Sequence, residues 1–175
     1  MKDFSTYRRA LFYAEEHYDG LRRKTHDLPY VVHPLRAVAI LRSVGYSEFD
    51  DENLMIAALF HDLIEDTSLT YEDIKAEFNE EIARLVLELS HPEGMDKEDW
   101  LKSLKNVSKK ARIIKMADRI DNLLDMGNDV WSKKKQKSYT EQSKLILESC
   151  GDANPELARK LQEIINKLLE KLKDA

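Results

Sequence analysis

Apolar residues along this chain recur mainly at spacings of three and four, which is the pattern of amphipathic helices. The pattern predicts a first helix over residues 5–19. A second helix is predicted to open at Pro34, which suits the first helical position, and to end at Gly45. Leu54–Phe60 is an uninterrupted apolar run of good helix formers, so it predicts a buried central helix that continues through Asp66.

The second half of the chain follows the same helical pattern. Thr70 is a predicted N-cap with Asp73 as its capping-box partner, and the helix that it opens extends to Leu89. Ala111–Leu124 is a predicted core-facing helix, and an amphipathic helix follows Pro155. This last helix either packs on the core or builds a homo-oligomer interface, and we expect packing.

Charged segments lie between these helices. Residues 97–110 fit either a lid or the wall of a cleft, and their length does not decide between the two. The basic run Lys133–Lys137 is expected to be a solvated turn. His91, in a turn with Pro92, is expected to be a surface histidine.

Composition favours one all-α domain over residues 1–175. The 175 residues include only 5 Gly and 4 Pro, and 42% are hydrophobic, which is enough for a substantial core. The net charge of −5 argues against a nucleic-acid partner, although local cations still allow a small anionic substrate. The single cysteine, Cys150, excludes an internal disulfide, and no apolar run or signal peptide suggests a membrane partner, so we expect a cytoplasmic protein.

The richest chemistry follows the central apolar run, at His61, Asp62, Glu65 and Asp66. On a helix, residues four apart share a face, so Glu65 lies one turn beyond His61 and Asp66 one turn beyond Asp62. Acids at the end of a core helix are costly to bury unless a divalent metal compensates them. The alternative is a solvated helix end, which is disfavoured because acids there oppose the helix dipole.

Two further helices offer matching groups. His33 lies at a helix entrance after two valines, where the alternative is a capping or core histidine. Asp118 lies at the edge of an apolar stripe with Asn122 four residues on, which suits a metal ligand and a substrate donor. The alternative for Asp118 is a structural salt bridge to Arg112 or Arg119.

Two imidazoles and two carboxylates, from His33, His61, Asp62 and Asp118, suit Mn, Fe, Co, Zn or Ni better than Ca. A metal so held activates water near neutral pH, and Glu65 and Asp66 would orient that water or accept its proton. The cationic loop Arg22-Arg23-Lys24 is either a solvated face or a phosphate site, since guanidinium donates to phosphate oxygens in pairs. Metal-assisted hydrolysis of a phosphoester or pyrophosphate is the reaction that these groups suit best.

The order His…His-Asp…Asp resembles that of the HD-domain phosphohydrolases. Three motifs over about residues 7–126 are closer still to the hydrolase domain of the RelA/SpoT homologues. They are Arg23-Lys24 with Pro29-Tyr30-Val31-Val32-His33-Pro34, then His61-Asp62-Leu63-Ile64-Glu65-Asp66-Thr67, then Ile114-Lys115-Met116-Ala117-Asp118-Arg119 with Asn122.

The resemblance implies a helical HD-domain bundle, with further helices over residues 132–175, and a stand-alone small alarmone hydrolase. It implies a Mn²⁺ site, other divalent transition metals remaining open, and removal of the 3′-pyrophosphate from ppGpp or pppGpp, a small anionic nucleotide. The residue roles that it implies are metal ligation by His33, His61, Asp62 and Asp118, catalysis by Glu65 and Asp66, and substrate binding by Arg23, Lys24 and Asn122.

The chain departs from this family pattern in the third motif. Asp121 stands where a histidine or tyrosine is often found, and Leu124 stands where an arginine is usual. Two alternatives therefore stay open beside the alarmone hydrolase. One is an HD-domain phosphohydrolase that acts on another nucleotide or phosphorylated metabolite, and the other is a non-catalytic nucleotide-binding protein.

Overall fold

The computed structural model describes residues 4–126 and 130–173, so the ends of the predicted 1–175 domain lie outside the described ranges. Across these residues the chain forms α-helices and short 3-10 turns but no β-strand, which confirms the all-α prediction. The helices are α1 (Ser5–His17), α2 (Val32–Arg42), α3 (Glu52–Phe60), α4 (Leu63–Asp66), α5 (Tyr71–Glu77), α6 (Glu80–Leu89), α7 (Lys97–Ser103), α8 (Lys109–Leu124), α9 (Lys133–Cys150) and α10 (Pro155–Lys171).

Helix α3 occupies the centre of the fold. Every residue from Leu54 to Phe60 is buried, as its apolar sequence predicts. A helix without a polar face must be enclosed on all sides, and α1, α2, α6 and α8 pack around α3. Because α2 and α8 contact both each other and α3, side chains from all three helices can meet at one point.

Two predicted helices are each divided in the structure. The central helix ends at Phe60, and α4 follows after His61 and Asp62 rather than continuing it. The helix predicted from Thr70 to Leu89 breaks at Phe78 and Asn79, where the Asn79 side chain accepts from the Ile82 N–H and caps a new helix, α6. Helical periodicity persists across such breaks because both pieces face the same core.

Helix caps also account for one correct and one wrong prediction. Thr70 and Asp73 form the predicted capping box with both of its hydrogen bonds. The run Lys133–Lys137 is not a turn but the beginning of α9, because the Ser132 side chain accepts from the Lys135 N–H. Ser132 is the sequence signal for this helix.

The segment at residues 97–110 is packed into the body of the protein. Trp100, Leu101 and Leu104 are buried, and α7 lies against α9, which favours a wall over a lid. The last helix, α10, buries its apolar face against α8 and α9. None of the helices in the described part of the chain is long and apolar enough to span a membrane.

Candidate active site

The break after α3 brings two adjacent side chains together. On a continuous helix, neighbouring side chains diverge by about 100°. Here Asp62 leaves regular helical geometry, with φ −105° and ψ 0°, and its Oδ2 lies 3.1 Å from His61 Nε2. The Asp66 N–H donates to the Asp62 carbonyl at 2.8 Å, so helical hydrogen bonding resumes directly after the change of direction. Sequence spacing alone does not predict this convergence.

Helices α2 and α8 complete the cluster. His33 lies in the first turn of α2, and its Nε2 is 3.0 Å from His61 Nε2. Asp118, in the middle of α8, places Oδ1 3.2 Å from His33 Nε2 and 3.7 Å from His61 Nε2. One ligand atom from each of these three buried residues lies within 4.8 Å of the others. The structure thus brings together three of the four predicted ligands as one group.

Asp62, the fourth predicted ligand, lies at the edge of that group. Its Oδ2 is 3.5 Å from His33 Nε2, and it accepts a hydrogen bond of 2.8 Å from the Tyr30 hydroxyl. Burial opposes the charged form of Asp62, but the neighbouring His61 holds its pKa below the ordinary value. Burial together with Asp62 raises the pKa of Tyr30, so the phenol stays protonated and remains a donor.

A lysine compensates the buried carboxylate of Asp118. Lys115 Nζ lies 3.0 Å from Asp118 Oδ2, one helical turn earlier on α8. Burial opposes the charge on Asp118, but Lys115 and the two histidines hold its pKa well below the ordinary value. The structural alternative of a salt bridge to Arg112 or Arg119 is therefore wrong, since Arg112 pairs with Asp152 and the Arg119 guanidinium lies 4.0 Å from the centre of the Tyr139 ring.

Hydrogen bonds at Nδ1 orient both imidazole rings. His61 Nδ1 lies 2.8 Å from the Ala58 carbonyl oxygen, and His33 Nδ1 lies 2.7 Å from Asp121 Oδ2. An acceptor at Nδ1 requires the proton there and leaves Nε2 free as a ligand atom. Two Nε2 atoms and a buried carboxylate, all facing one point, fit a divalent metal well.

Glu65 and Asp66 lie on α4, at the solvent side of this group. Glu65 Oε1 accepts a hydrogen bond of 2.6 Å from the His91 backbone N–H, which fixes the carboxylate in place. His91 is partly buried, with its ring centre 4.9 Å from that of Trp100, and so is not the simple surface histidine that was expected. Partial burial and the neighbouring Asp62 raise the pKa of Asp66.

A cavity of about 340 Å³ lies beside the cluster, and the predicted substrate residues line it. Lys24 is exposed there, whereas Arg23 is mostly buried. Arg23 Nη2 donates to Asp125 Oδ2 at 2.8 Å and to Asn122 Oδ1 at 2.9 Å. Asn122 Nδ2 in turn donates to Asp118 Oδ1. The substrate-binding roles of these residues stay predictions.

Several residues of the site were missed in the sequence. Asp121 and Asp125 follow Asp118 at three and seven residues on α8, a helical spacing that could have placed them on one face. Tyr30 and Lys115 lie within the quoted motifs without an assigned role. Two aromatic residues that line the cavity, Trp131 and Tyr139, gave no such signal because they lie beyond the motifs.

Comparison with known proteins matches the same region. A family model described as HD domain matches residues 10–148. The guanosine-3′,5′-bis(diphosphate) 3′-pyrophosphohydrolase MESH1 of Drosophila melanogaster is 29% identical over 158 residues, covering 86% of this chain and 87% of that protein. The guanosine-3′,5′-bis(diphosphate) 3′-pyrophosphohydrolase of Aquifex aeolicus is 33% identical over 148 residues, covering 77% of this chain but 19% of that longer protein.

A solved structure agrees with these matches. It is reported as a metazoan ortholog of SpoT that hydrolyzes ppGpp, and it superposes with a TM-score of 0.85 at 28% identity, covering 95% of this chain and 97% of that chain. The helical fold of this chain is thus shared with that structure. Because the matching family model spans most of the sequence, the chain belongs to the HD-domain family.

Proposed function

We propose that the protein is a metal-dependent 3′-pyrophosphohydrolase of ppGpp and pppGpp. One observation carries the proposal, namely that the buried His33–His61–Asp118 group is hydrogen-bonded to the wall of a cavity lined by cations. Asn122 in the cavity wall donates directly to Asp118, and Tyr30 in the same wall donates to Asp62 at the edge of the group. A phosphate group in that cavity would therefore meet the metal end of the site. The names of the similar proteins favour the same substrate.

The metal ligands in this proposal are His33, His61, Asp62 and Asp118. The buried group of three supports a divalent ion, and a mixed nitrogen and oxygen set suits Mn, Fe, Co, Zn or Ni. Among these, Mn²⁺ is proposed because the family resemblance implies it. When bound, the ion supplies Lewis acidity and activates water near neutral pH. A cytoplasmic location, suggested by the single, buried and unpaired Cys150, belongs to the same proposal.

The chain's own residues handle the water and its proton. Glu65 is held by the His91 N–H, so it can orient water for attack on the phosphorus that bears the 3′ oxygen. Asp66, which follows Glu65 on α4 and lines the cavity, is proposed to share the proton transfer. The bond from phosphorus to the 3′ oxygen breaks, that oxygen gains a proton, and the products are pyrophosphate and GDP or GTP.

The rest of the cavity would hold the nucleotide. The Lys24 ammonium is exposed and suits phosphate oxygens, while Arg23 orients Asn122 through their hydrogen bond. The Trp131 and Tyr139 rings form an edge-to-face pair with centres 5.1 Å apart, and they offer an aromatic surface for a base.

One observation favours a second candidate function, which is hydrolysis of a different nucleotide in the same site. Leu124 stands where the resembling family usually has an arginine, and it is 66% exposed, so this surface position carries an apolar side chain instead of a positive charge. A substrate with less negative charge near α8 would not need a cation at position 124.

Product analysis tests these functions. Metal-stripped protein is reloaded with Mn²⁺ and incubated with ppGpp, GTP, GDP, dNTPs and NADPH in separate reactions, with and without a chelator. Pyrophosphate release from ppGpp alone, abolished by the chelator and by Asp62→Ala or Glu65→Ala, is the expected result. Turnover of another compound only would favour the second candidate. Binding of ppGpp without turnover by metal-loaded protein would instead indicate a nucleotide-binding protein.

A further inference from the structure

We propose that Asp121 is a positioning residue that fixes His33 for the metal and thereby sets the metal affinity of the site. The inference rests on the metal ligands of the proposed function but not on its substrate. It begins from a difference between the two imidazoles. His61 is backed by a neutral backbone carbonyl, that of Ala58, whereas His33 is backed by a full carboxylate, that of Asp121.

The contact between His33 and Asp121 is short and enclosed. Nδ1 and Oδ2 are 2.7 Å apart, and both side chains are at most 5% exposed. An ionised carboxylate can only accept, so the proton of the imidazole lies on Nδ1 and Nε2 faces Asp118 and His61. A carboxylate that accepts the Nδ1 proton of a metal-ligating histidine fixes the orientation of the ring and makes Nε2 a more basic metal ligand.

Arg36 stabilises the buried carboxylate of Asp121 by pairing with it. Arg36 Nε lies 2.7 Å from Asp121 Oδ1, and Arg36 Nη2 lies 3.1 Å from Asp121 Oδ2. The same Nη2 lies 2.9 Å from Asp125 Oδ1, which anchors the guanidinium on a second side. A lone carboxylate buried beside Asp118 would be repelled, so the arginine is required for Asp121 to act.

The stability of α8 does not by itself explain an acidic residue at position 121. Asp121 lies in the last turn of α8, where a negative charge opposes the helix dipole. The family that the sequence resembles often has a histidine or tyrosine here, so the carboxylate is a feature of this chain. Its contacts with His33 and Arg36 are the interactions that compensate for the cost.

The experiment measures metal binding without any substrate. Metal-stripped full-length protein is titrated with Mn²⁺, and free Mn²⁺ is followed by its electron paramagnetic resonance signal. Asp121→Asn keeps the size of the side chain but removes its charge, and we expect the dissociation constant for Mn²⁺ to rise by about 10- to 100-fold. The matched control is Asp27→Asn, the same change at an 84% exposed carboxylate paired with Arg22, and it should stay within about twofold of wild type.

A double variant separates positioning from stability. Asp121→Asn alone leaves Arg36 with one carboxylate fewer, whereas Arg36→Gln/Asp121→Asn removes both charges. The double variant should recover part of the melting temperature measured by circular dichroism, because Asp125, the other partner of Arg36, stays paired with Arg23. The affinity for Mn²⁺ should stay low in the double variant, because His33 still lacks its carboxylate.

Three results would overturn the inference. They are wild-type Mn²⁺ affinity in Asp121→Asn, an equal loss in Asp27→Asn, and recovery of affinity together with stability in the double variant. A wild-type protein that does not bind Mn²⁺ would overturn it together with the ligand assignment. A wild-type protein that binds Mn²⁺ but leaves ppGpp intact would refute the proposed substrate and leave the role of Asp121 standing.

Discussion

The buried group of candidate metal ligands, His33, His61 and Asp118, and the cavity beside it differ in how their charges are stabilised. In the group, the buried carboxylate of Asp118 is paired with Lys115, and that of Asp121, which contacts His33, is paired with Arg36. In the cavity, the Lys24 ammonium is exposed to solvent, where water already satisfies its charge. The difference shows that a buried site needs partners to hold fixed charges, whereas an open site keeps mobile charges available for a ligand.

This contrast predicts separate consequences for variants in the two regions. A change in the buried group should alter both stability and chemistry, because each side chain there supports the next. A change at an exposed cavity residue should alter substrate affinity alone, because surface charges contribute little to folding.

The largest effect is expected for Asp118→Asn. Mn²⁺ binding and hydrolysis should both be lost, activity falling by about 1,000-fold or more. The Lys115 ammonium would remain buried without its partner, so the free energy of unfolding measured in urea should fall by about 3–5 kcal/mol. Adding Lys115→Met should restore stability but not metal binding. Intact stability in the single variant would contradict the view that pairing supports the group.

The next largest effect is expected for Glu65→Gln, at the boundary between the two regions. The turnover number on ppGpp should fall by about 100- to 10,000-fold, because the amide cannot accept the proton from water. Mn²⁺ affinity should be unchanged, since Glu65 is not among the ligands. Glu72→Gln, at an exposed position in α5, is the matched control. Full turnover by Glu65→Gln with metal bound would show that the assigned catalytic role is wrong.

A smaller effect concerns Asp125, which joins the regions by accepting from Arg23 and Thr25. Although burial opposes its charge, hydrogen bonds from Thr25 and Arg23 lower the pKa of Asp125 to about 2 in the folded protein. The unfolded value is higher, near 3.9, so the carboxylate stabilises the fold above about pH 4 and this contribution is lost as the pH falls through about 2.

Unfolding of wild type and Asp125→Asn in urea, followed from pH 7 to pH 2, measures this contribution. The pH-dependent part of the stability difference should be about 2 kcal/mol and should shrink below about pH 4. A difference that stays constant across this range would mean that the charge of Asp125 is not the stabilising feature.

The smallest effect is expected for Lys24→Gln in the open cavity. The KM for ppGpp should rise about tenfold, which is the loss of one charge-assisted contact. The turnover number should hold, and the free energy of unfolding should stay within about 0.5 kcal/mol of wild type. Added salt should reduce the difference in KM between the variant and wild type, because salt screens the exposed charge of Lys24. Lys167→Gln, at an exposed position on α10, serves as the control. A large loss of stability in Lys24→Gln would contradict the expectation that exposed cavity residues affect substrate affinity alone.

Local sequence determined the helices and most of the groups that meet in the cluster. The apolar run Leu54–Phe60 required an enclosed central helix, and the capping box at Thr70 followed from chemistry within one turn of chain. His33, His61 and Asp118 were predicted to act together because order and residue type are properties of the sequence, and the structure brings them together. Short-range patterns suffice for such features since they depend on neighbours along the chain.

Tertiary structure alone decided how those groups are held. The turn at Asp62 made two adjacent side chains converge, the Asn79 cap divided a predicted helix in two, and Arg36 reached Asp121 from 85 residues away. A buried charge is stable only beside its partner, and partners from different helices are neighbours only after the helices have packed. The sequence therefore determined which groups are present, whereas packing determined which of them touch.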